Sequence, residues 1–203
     1  MKKISYLLLS FIVIIVSSFT NFVSLPIGSD MPKSEHKMLD ITGKEISIKE
    51  VAKENGVLVV FSSNTCPYVL KNQTRITNLI GFSSKHTIGM IILNSNEAYR
   101  EEDDSFKEMK KYAKKSIITC SYVMDKSSEI ADAFGANRTP ECFLFDKNLK
   151  LVYHGAIDDN PADEESVTRK HLEEAITEMA NGKEISVKES KSVGCSIKRA
   201  VKQ

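Results

Sequence analysis

An α/β architecture, with a central mixed sheet flanked by helices, is what this sequence predicts. Three observations carry the prediction. Val57 to Phe61 and Ile88 to Leu93 are unbroken apolar runs, the mark of strands buried on both faces. Each is followed by a stretch whose apolar residues recur at helical rather than alternating spacing. Late in the chain, two apolar segments flank Asp146-Lys147-Asn148, a hairpin turn. Such a series buries its apolar faces as one sheet covered on both sides. Its parallel crossovers are expected to be right-handed.

The elements follow in order. Met1-Lys2-Lys3 and the apolar run Ile4 to Val16 read as a signal peptide. Read through to Val23, the run is about 20 residues, long enough to cross a bilayer. Residues 1–23 are therefore expected to be a signal peptide or an uncleaved membrane anchor. Either would place the remainder outside the cytoplasm, periplasmic or secreted, because Lys2 and Lys3 stay on the cytoplasmic side. Residues 24–36, with Pro26, Gly28 and Pro32, read as a linker. Residues 37–182 are the expected domain, and 183–203 a polar tail that carries Cys195.

Within the domain, Met38 to Ile48 alternates around Thr42-Gly43, an N-terminal hairpin extension. The stretch from Cys66 to about Phe82 predicts a helix, with Thr65 as its cap and Pro67 in the tolerant first turn. Val69, Leu70, Ile76, Leu79 and Ile80 form its expected inward face. Asp104 to Lys115 is an amphipathic helix, and Glu101-Glu102-Asp103-Asp104 reads as its solvated start. Ser121 to Asp125 is a short strand, and Ser127 to Phe134 a short helix stopped by Gly135. Cys142 to Phe145 and Leu149 to His154 are the hairpin strands. Glu165 to Ala180 is the last helix, stopped at Asn181-Gly182.

The formal net charge is +1, and no basic stripe with interleaved aromatics appears, so nucleic acid is not an expected partner. Four cysteines, at 66, 120, 142 and 195, and four scattered histidines lack metal-site spacing, so neither a metal nor another cofactor is expected. Asp158-Asp159-Asn160 supplies fewer oxygens than the roughly six to eight that calcium takes, and reads as loop and cap chemistry. Membrane contact is expected only through an uncleaved leader.

The chemistry points to Ser63-Asn64-Thr65-Cys66-Pro67, delivered to a turn by the first buried strand. That is the carboxyl edge, where open α/β sheets place their sites. Unpaired N–H groups of a helix's first turn favour an anion. A cysteine there can have its pKa lowered from about 8.5 to roughly 3.5–7.5. Taken alone, Cys66 reads equally well as a small buried hydrophobe. Ser63 stands three residues earlier. Its hydroxyl either serves the thiolate and an incoming oxygen or bonds only its own turn. Thr139-Pro140 starts the later strand, where proline cannot donate to the ladder. A cis bond there would shape a substrate groove with Thr65 and Pro67 and offer the Thr139 carbonyl to an extended peptide. An ordinary trans turn is the alternative. By itself Arg138 is a charged loop residue.

These residues carry a resemblance. The chain, from roughly Ile27 to Ile197, resembles the thioredoxin-fold redoxins, in the peroxiredoxin-like branch related to alkyl hydroperoxide reductase and thiol-specific antioxidant proteins. In peroxiredoxins a Thr or Ser stands three residues before the peroxidatic cysteine, which a proline follows; Ser63 to Pro67 matches. The resemblance implies a thioredoxin-like fold, Cys66 as nucleophile, and Arg138 as counterpart of the family's catalytic arginine. A subgroup with a Cys-Asn-His-Cys-Pro-Tyr-Val turn, a Gly-x-Ile-Asp-Asp-Asn stretch and a Gly-Cys-Ser-Ile-Lys tail is still more similar, at Ser63 to Val69, Gly155 to Asn160 and Gly194 to Lys198. Ser63 replaces that subgroup's first cysteine and Thr65 its histidine. Val69 sits where a thioredoxin has its second cysteine, so no local Cys-x-x-Cys disulfide forms. Val59 replaces a peroxiredoxin proline.

A cycling thiol needs a second one. Cys195, on a tail able to fold back, is the best candidate, ahead of Cys142 in a strand, while Cys120 reads as structural. The leading expectation is an antioxidant oxidoreductase that reduces a hydroperoxide through a Cys66 sulfenate and is reset by an external thiol reductant. A reductase acting on protein disulfides, and a binding module without turnover, are the alternatives.

Overall fold

The computed structural model describes residues 23–200, so the leader read at 1–23 lies outside the described residues except for Val23. Seven strands form the main sheet among them. β1 (Met38–Asp40) and β2 (Glu45–Ile46) make the N-terminal hairpin. β3 (Val57–Ser62) and β4 (Gly89–Asn94) are the two apolar runs, and every residue in both is buried. β5 (Ser121–Met124) follows, then a short β6 (Arg138–Thr139), β7 (Glu141–Phe145) and β8 (Leu151–Gly155). The order is β2-β1-β5-β4-β3-β7-β8. β3, β4 and β5 run parallel, whereas β7 and β1 join them antiparallel, so the sheet is mixed.

Alternation along β3 builds two cores. Leu58 and Val60 face one side, with Ile76 and Leu79 of α3 (Gln73–Lys85), Met109 of α4 (Phe106–Lys115) and Leu172 and Ile176 of α6 (His171–Ala180). Val57, Val59 and Phe61 face the other, with Ile48 of α1 (Ile48–Val51) and Ile130 and Phe134 of α5 (Glu129–Phe134). There Phe134 meets Phe61, Phe143 and Phe145 edge-on, at centroid distances of 5.6, 5.3 and 5.5 Å. Edge-to-face pairs add to area burial because the ring quadrupoles are complementary.

Three expectations need correction. The helix after Cys66 is two pieces, α2 (Pro67–Lys71) and α3, interrupted at Asn72. The Asn72 amide donates to the carbonyls of Tyr68, at 2.7 Å, and Pro161, at 2.9 Å, tying the break to a distant loop. Leu70 consequently faces out, 51% exposed. The last helix starts at His171, not Glu165. Asp163 accepts from the Glu165 N–H and the Ser166 hydroxyl, and Asp159 accepts from the Thr168 N–H. Such local side-chain bonds compete with helix. Finally, Asp104 is fully buried rather than solvated.

Phe134→Ala should lower unfolding stability by about 3–5 kcal/mol, the usual cost of removing a buried phenyl ring. The measurement is urea denaturation, read as a lower midpoint at unchanged slope.

Candidate active site

β3 ends at Ser62, and the turn from Ser63 to Thr65 brings Cys66 to the start of α2. Cys66 is itself the N-cap, correcting the expectation for Thr65, which is exposed. Pro67 occupies the first helical position, where its missing N–H costs nothing. The next two N–H groups are free to serve other acceptors. That of Val69 favours the anion of Cys66 and that of Tyr68 favours the anion of Cys195, although the Cys66 side chain makes no capping hydrogen bond to the helix. One helix start thus serves both thiols.

Cys195 reaches this place because the tail runs back along the domain. β9 (Cys195–Ser196) pairs antiparallel with β6, Thr139 opposite Cys195 and Arg138 opposite Ser196. Beyond it, the Ile197 N–H donates to the Asn137 carbonyl at 3.1 Å, and the Ile197 side chain is buried in the α5 core. The Lys198 N–H donates to Asn96 Oδ1 at 2.9 Å, and the Lys198 carbonyl accepts from the Ala98 N–H at 2.8 Å. Arg199 donates to Asp132 and to the Ala136 carbonyl, both at 2.7 Å.

Cys66 is 3% exposed, and its neutral thiol donates to the Thr139 carbonyl at 3.1 Å. Burial pushes this thiol up. Hydrogen bonds to the sulfur from the Cys195 thiol, the Thr139 hydroxyl and the Val69 and Cys195 N–H groups outweigh it, and the pKa falls below the ordinary thiol value. The Thr139 hydroxyl is buried, has no hydrogen-bond partner of its own, and favours the Cys66 anion. Cys195 moves the opposite way. Burial, then the hydrogen bond it donates to Cys66 and the charge on that sulfur, push it up to about 11. The pair therefore ionises in a fixed order, Cys66 first.

Buried networks that sequence reasoning missed hold this geometry. The Asp104 carboxylate accepts from the Asn64 N–H at 2.9 Å, the Asn94 amide at 2.6 Å and the Asn96 amide at 2.8 Å. Tyr122 donates to Asn64 Oδ1 at 2.8 Å. The turn before Cys66 and the tail anchor Asn96 therefore share one carboxylate. On the other side, Glu141 accepts from the Asn137 and Arg138 N–H groups at 2.7 and 2.9 Å and meets His154 Nε2 at 2.8 Å. This fixes the segment just before Thr139-Pro140, whose peptide bond is cis. Arg75 and Asp158 form a buried ion pair at 2.5 Å, and Arg75 also donates to the Asn160 carbonyl at 3.0 Å. The Asp158-Asp159-Asn160 stretch is thereby clamped to α3.

The structure thus brings Cys66, Cys195, Thr139 and the α2 start together. It does not bring the Ser63 hydroxyl to the sulfur. That hydroxyl accepts from the Thr65 N–H at 3.2 Å and donates to Asp104 at 3.4 Å, so it belongs to the turn. Arg138 is exposed. Its guanidinium has no hydrogen bond or ion pair among the described residues and is not among the groups that shift Cys66. Pro140 is buried and Pro67 exposed. Cys142 lies in the ladder opposite Val60, and burial holds its thiol far above the ordinary range. Burial pushes Cys120 up to about 12. Among the described residues all four cysteines are free thiols.

A family model described as Redoxin matches residues 26–172, most of the domain but not the tail. A crystal structure of a hypothetical protein from Sinorhizobium meliloti 1021 is similar, with 28% identity, a TM-score of 0.81, and coverage of 89% of this chain and 98% of that one. Peroxidoxin BcpB from Mycobacterium tuberculosis shares the fold at 14% identity and a TM-score of 0.57, over 77% of this chain and 96% of its own. The thiol-disulfide oxidoreductase ResA of Geobacillus thermodenitrificans (strain NG80-2) is 23% identical over 133 residues, 66% of this chain and 71% of the relative. The mixed sheet and its helices are a thioredoxin-like fold.

Alkylation of Cys66 by iodoacetamide, followed against pH by peptide mapping, should show a midpoint below that of an ordinary thiol, with Cys195 reacting only at much higher pH. Cys195→Ala removes one donor to the thiolate. The Cys66 midpoint should then rise, and the rate at neutral pH should fall.

Proposed function

This chain belongs to the Redoxin family, and on that footing we propose that it is a thiol-based oxidoreductase with Cys66 as nucleophile, Cys195 as resolving thiol and a hydroperoxide as oxidant. The observation that carries the reading is that β9 sets Cys195 opposite Thr139, whose carbonyl accepts from the Cys66 thiol at 3.1 Å. Two thiols thus share one place at the α2 start, where their surroundings favour ionisation of Cys66 and oppose that of Cys195. The Cys66 thiolate attacks the terminal peroxide oxygen. A sulfur–oxygen bond forms, the oxygen–oxygen bond breaks, and the departing alkoxide or hydroxide takes a proton. Cys66 is then a neutral sulfenic acid.

That neutralisation removes one cause of the raised Cys195 pKa, the charge on the neighbouring sulfur. Cys195 becomes easier to ionise only once it is needed. Its sulfur attacks the sulfenic sulfur, a disulfide forms, and water departs with the proton. An external thiol reductant then restores both thiols. The apolar leader supports a place outside the cytoplasm.

A second reading, reduction of protein disulfides, draws on the β6 edge beside Cys66, which an extended partner could pair with in place of β9. Stoichiometric hydrogen peroxide followed by intact-mass analysis tests the choice. The expected product has lost the two thiol hydrogens, and mapping should join residues 66 and 195. Cys195→Ser should stop at the sulfenate, trappable by dimedone, and Cys66→Ser should not consume peroxide. Peroxide turnover that persists in Cys66→Ser would defeat the reading.

A further inference from the structure

The segment that brings Cys195 to the site also fills the edge where a peptide substrate would lie. β9 is an extended strand paired antiparallel to β6, with a sulfur aimed at Cys66. An extended peptide disulfide attacked by Cys66 would need the same backbone edge and the same sulfur position. Gly194 makes this fit possible. A Cβ at 194 would overlap the Thr139 carbonyl oxygen and crowd Pro140. The backbone torsion at Gly194 lies outside the left-handed region, so close approach, not chain flexibility, is what requires glycine there. The strand is tied down on its far side at Ile197, Lys198 and Arg199. On its near side the Ser190 N–H donates to the His154 carbonyl at 3.0 Å, and the Ser190 hydroxyl accepts from the Ala156 N–H at 2.9 Å.

We infer that Gly194 and the β9 strand are specificity determinants that reserve Cys66 for small oxidants by occupying, with the chain's own backbone, the edge that an extended peptide disulfide would use. This rests on Cys66 being the nucleophile of the proposed function and adds which substrates reach it. A hydroperoxide or a small disulfide needs only the sulfur. A peptide needs the sulfur and the β6 edge together, so it must first displace β9. The exchange itself is balanced: Cys66 thiolate attacks one sulfur of the peptide disulfide, a mixed disulfide forms, the old sulfur–sulfur bond breaks, and the released thiolate takes the proton.

The test compares two probes on the full chain. One is 5,5′-dithiobis(2-nitrobenzoate), a small disulfide. The other is a short extended peptide whose cysteine carries the same nitrothiobenzoate group, so that both report release of one coloured thiolate. Cys195→Ser is the common background, which keeps Cys66 as the reacting thiol. The parent should react with the small disulfide and discriminate strongly against the peptide. Gly194→Val, which levers β9 off β6, should raise the peptide rate relative to the small-disulfide rate by about tenfold or more, the weight of one or two lost backbone hydrogen bonds. Arg199→Ala, which loosens the far anchor without touching the strand, should shift the ratio the same way by less and guards against misfolding of the valine variant. A parent that takes both probes equally, or variants as discriminating as the parent, would overturn the inference. Failure of the parent with the small disulfide and with peroxide would instead count against Cys66 as nucleophile.

Discussion

A sulfur anion inside a folded chain exists only where donors outweigh the loss of water. That constraint governs this molecule. Cys66 is almost wholly buried, and burial alone would hold it protonated, as it does Cys142 in the same apolar cluster. What separates these two sulfurs is surroundings. Cys142 faces side chains of a dry core, whereas Cys66 faces two backbone N–H groups, a hydroxyl and a second thiol. The donors come from three separate pieces of chain, α2, β6 and β9. The lowered Cys66 pKa is therefore a property of the assembled fold and not of the turn that carries the cysteine.

Because the donors come from distant segments, their alignment depends on polar groups buried behind them. Asp104 fastens the turn before Cys66 and, through Asn96, the backbone of Lys198. Glu141 fastens the two residues that precede Thr139. Each carboxylate accepts several N–H groups, which compensates for its removal from water. Neither touches the sulfur. Both decide where the groups that do touch it stand, and the loss of either would move a whole segment and not just one contact.

Much of this was legible in the sequence. Unbroken apolar runs announced β3 and β4 because a strand buried on both faces needs no polar alternation. The Cys66-Pro67 step announced a helix start, since proline is tolerated there and nowhere deeper. The hairpin turn at 146–148 and the stop at Gly135 were equally local signals. The misses were of a different kind. Asp104 sits in an acidic run that looks like any solvated helix start, and nothing nearby in sequence shows that Asn64, Asn94 and Asn96 converge on it. Glu165 to Lys170 has adequate helical periodicity, but aspartates at 159 and 163 take its N–H groups first. Ser63 could be read two ways from its spacing, and only the position of Asp104 decides between them. Long-range polar pairing leaves no period, so periodicity could not find it.

The partial exposure of Cys195, beside a Cys66 that solvent barely reaches, gives the centre a direction. In a disulfide between them, the outward sulfur is that of the tail. An incoming reductant would meet residue 195 first and expel the sulfur of residue 66, the better leaving group because its surroundings favour the anion more. If the proposed pair does cycle, reducing equivalents would thus enter at the tail sulfur, the one solvent reaches.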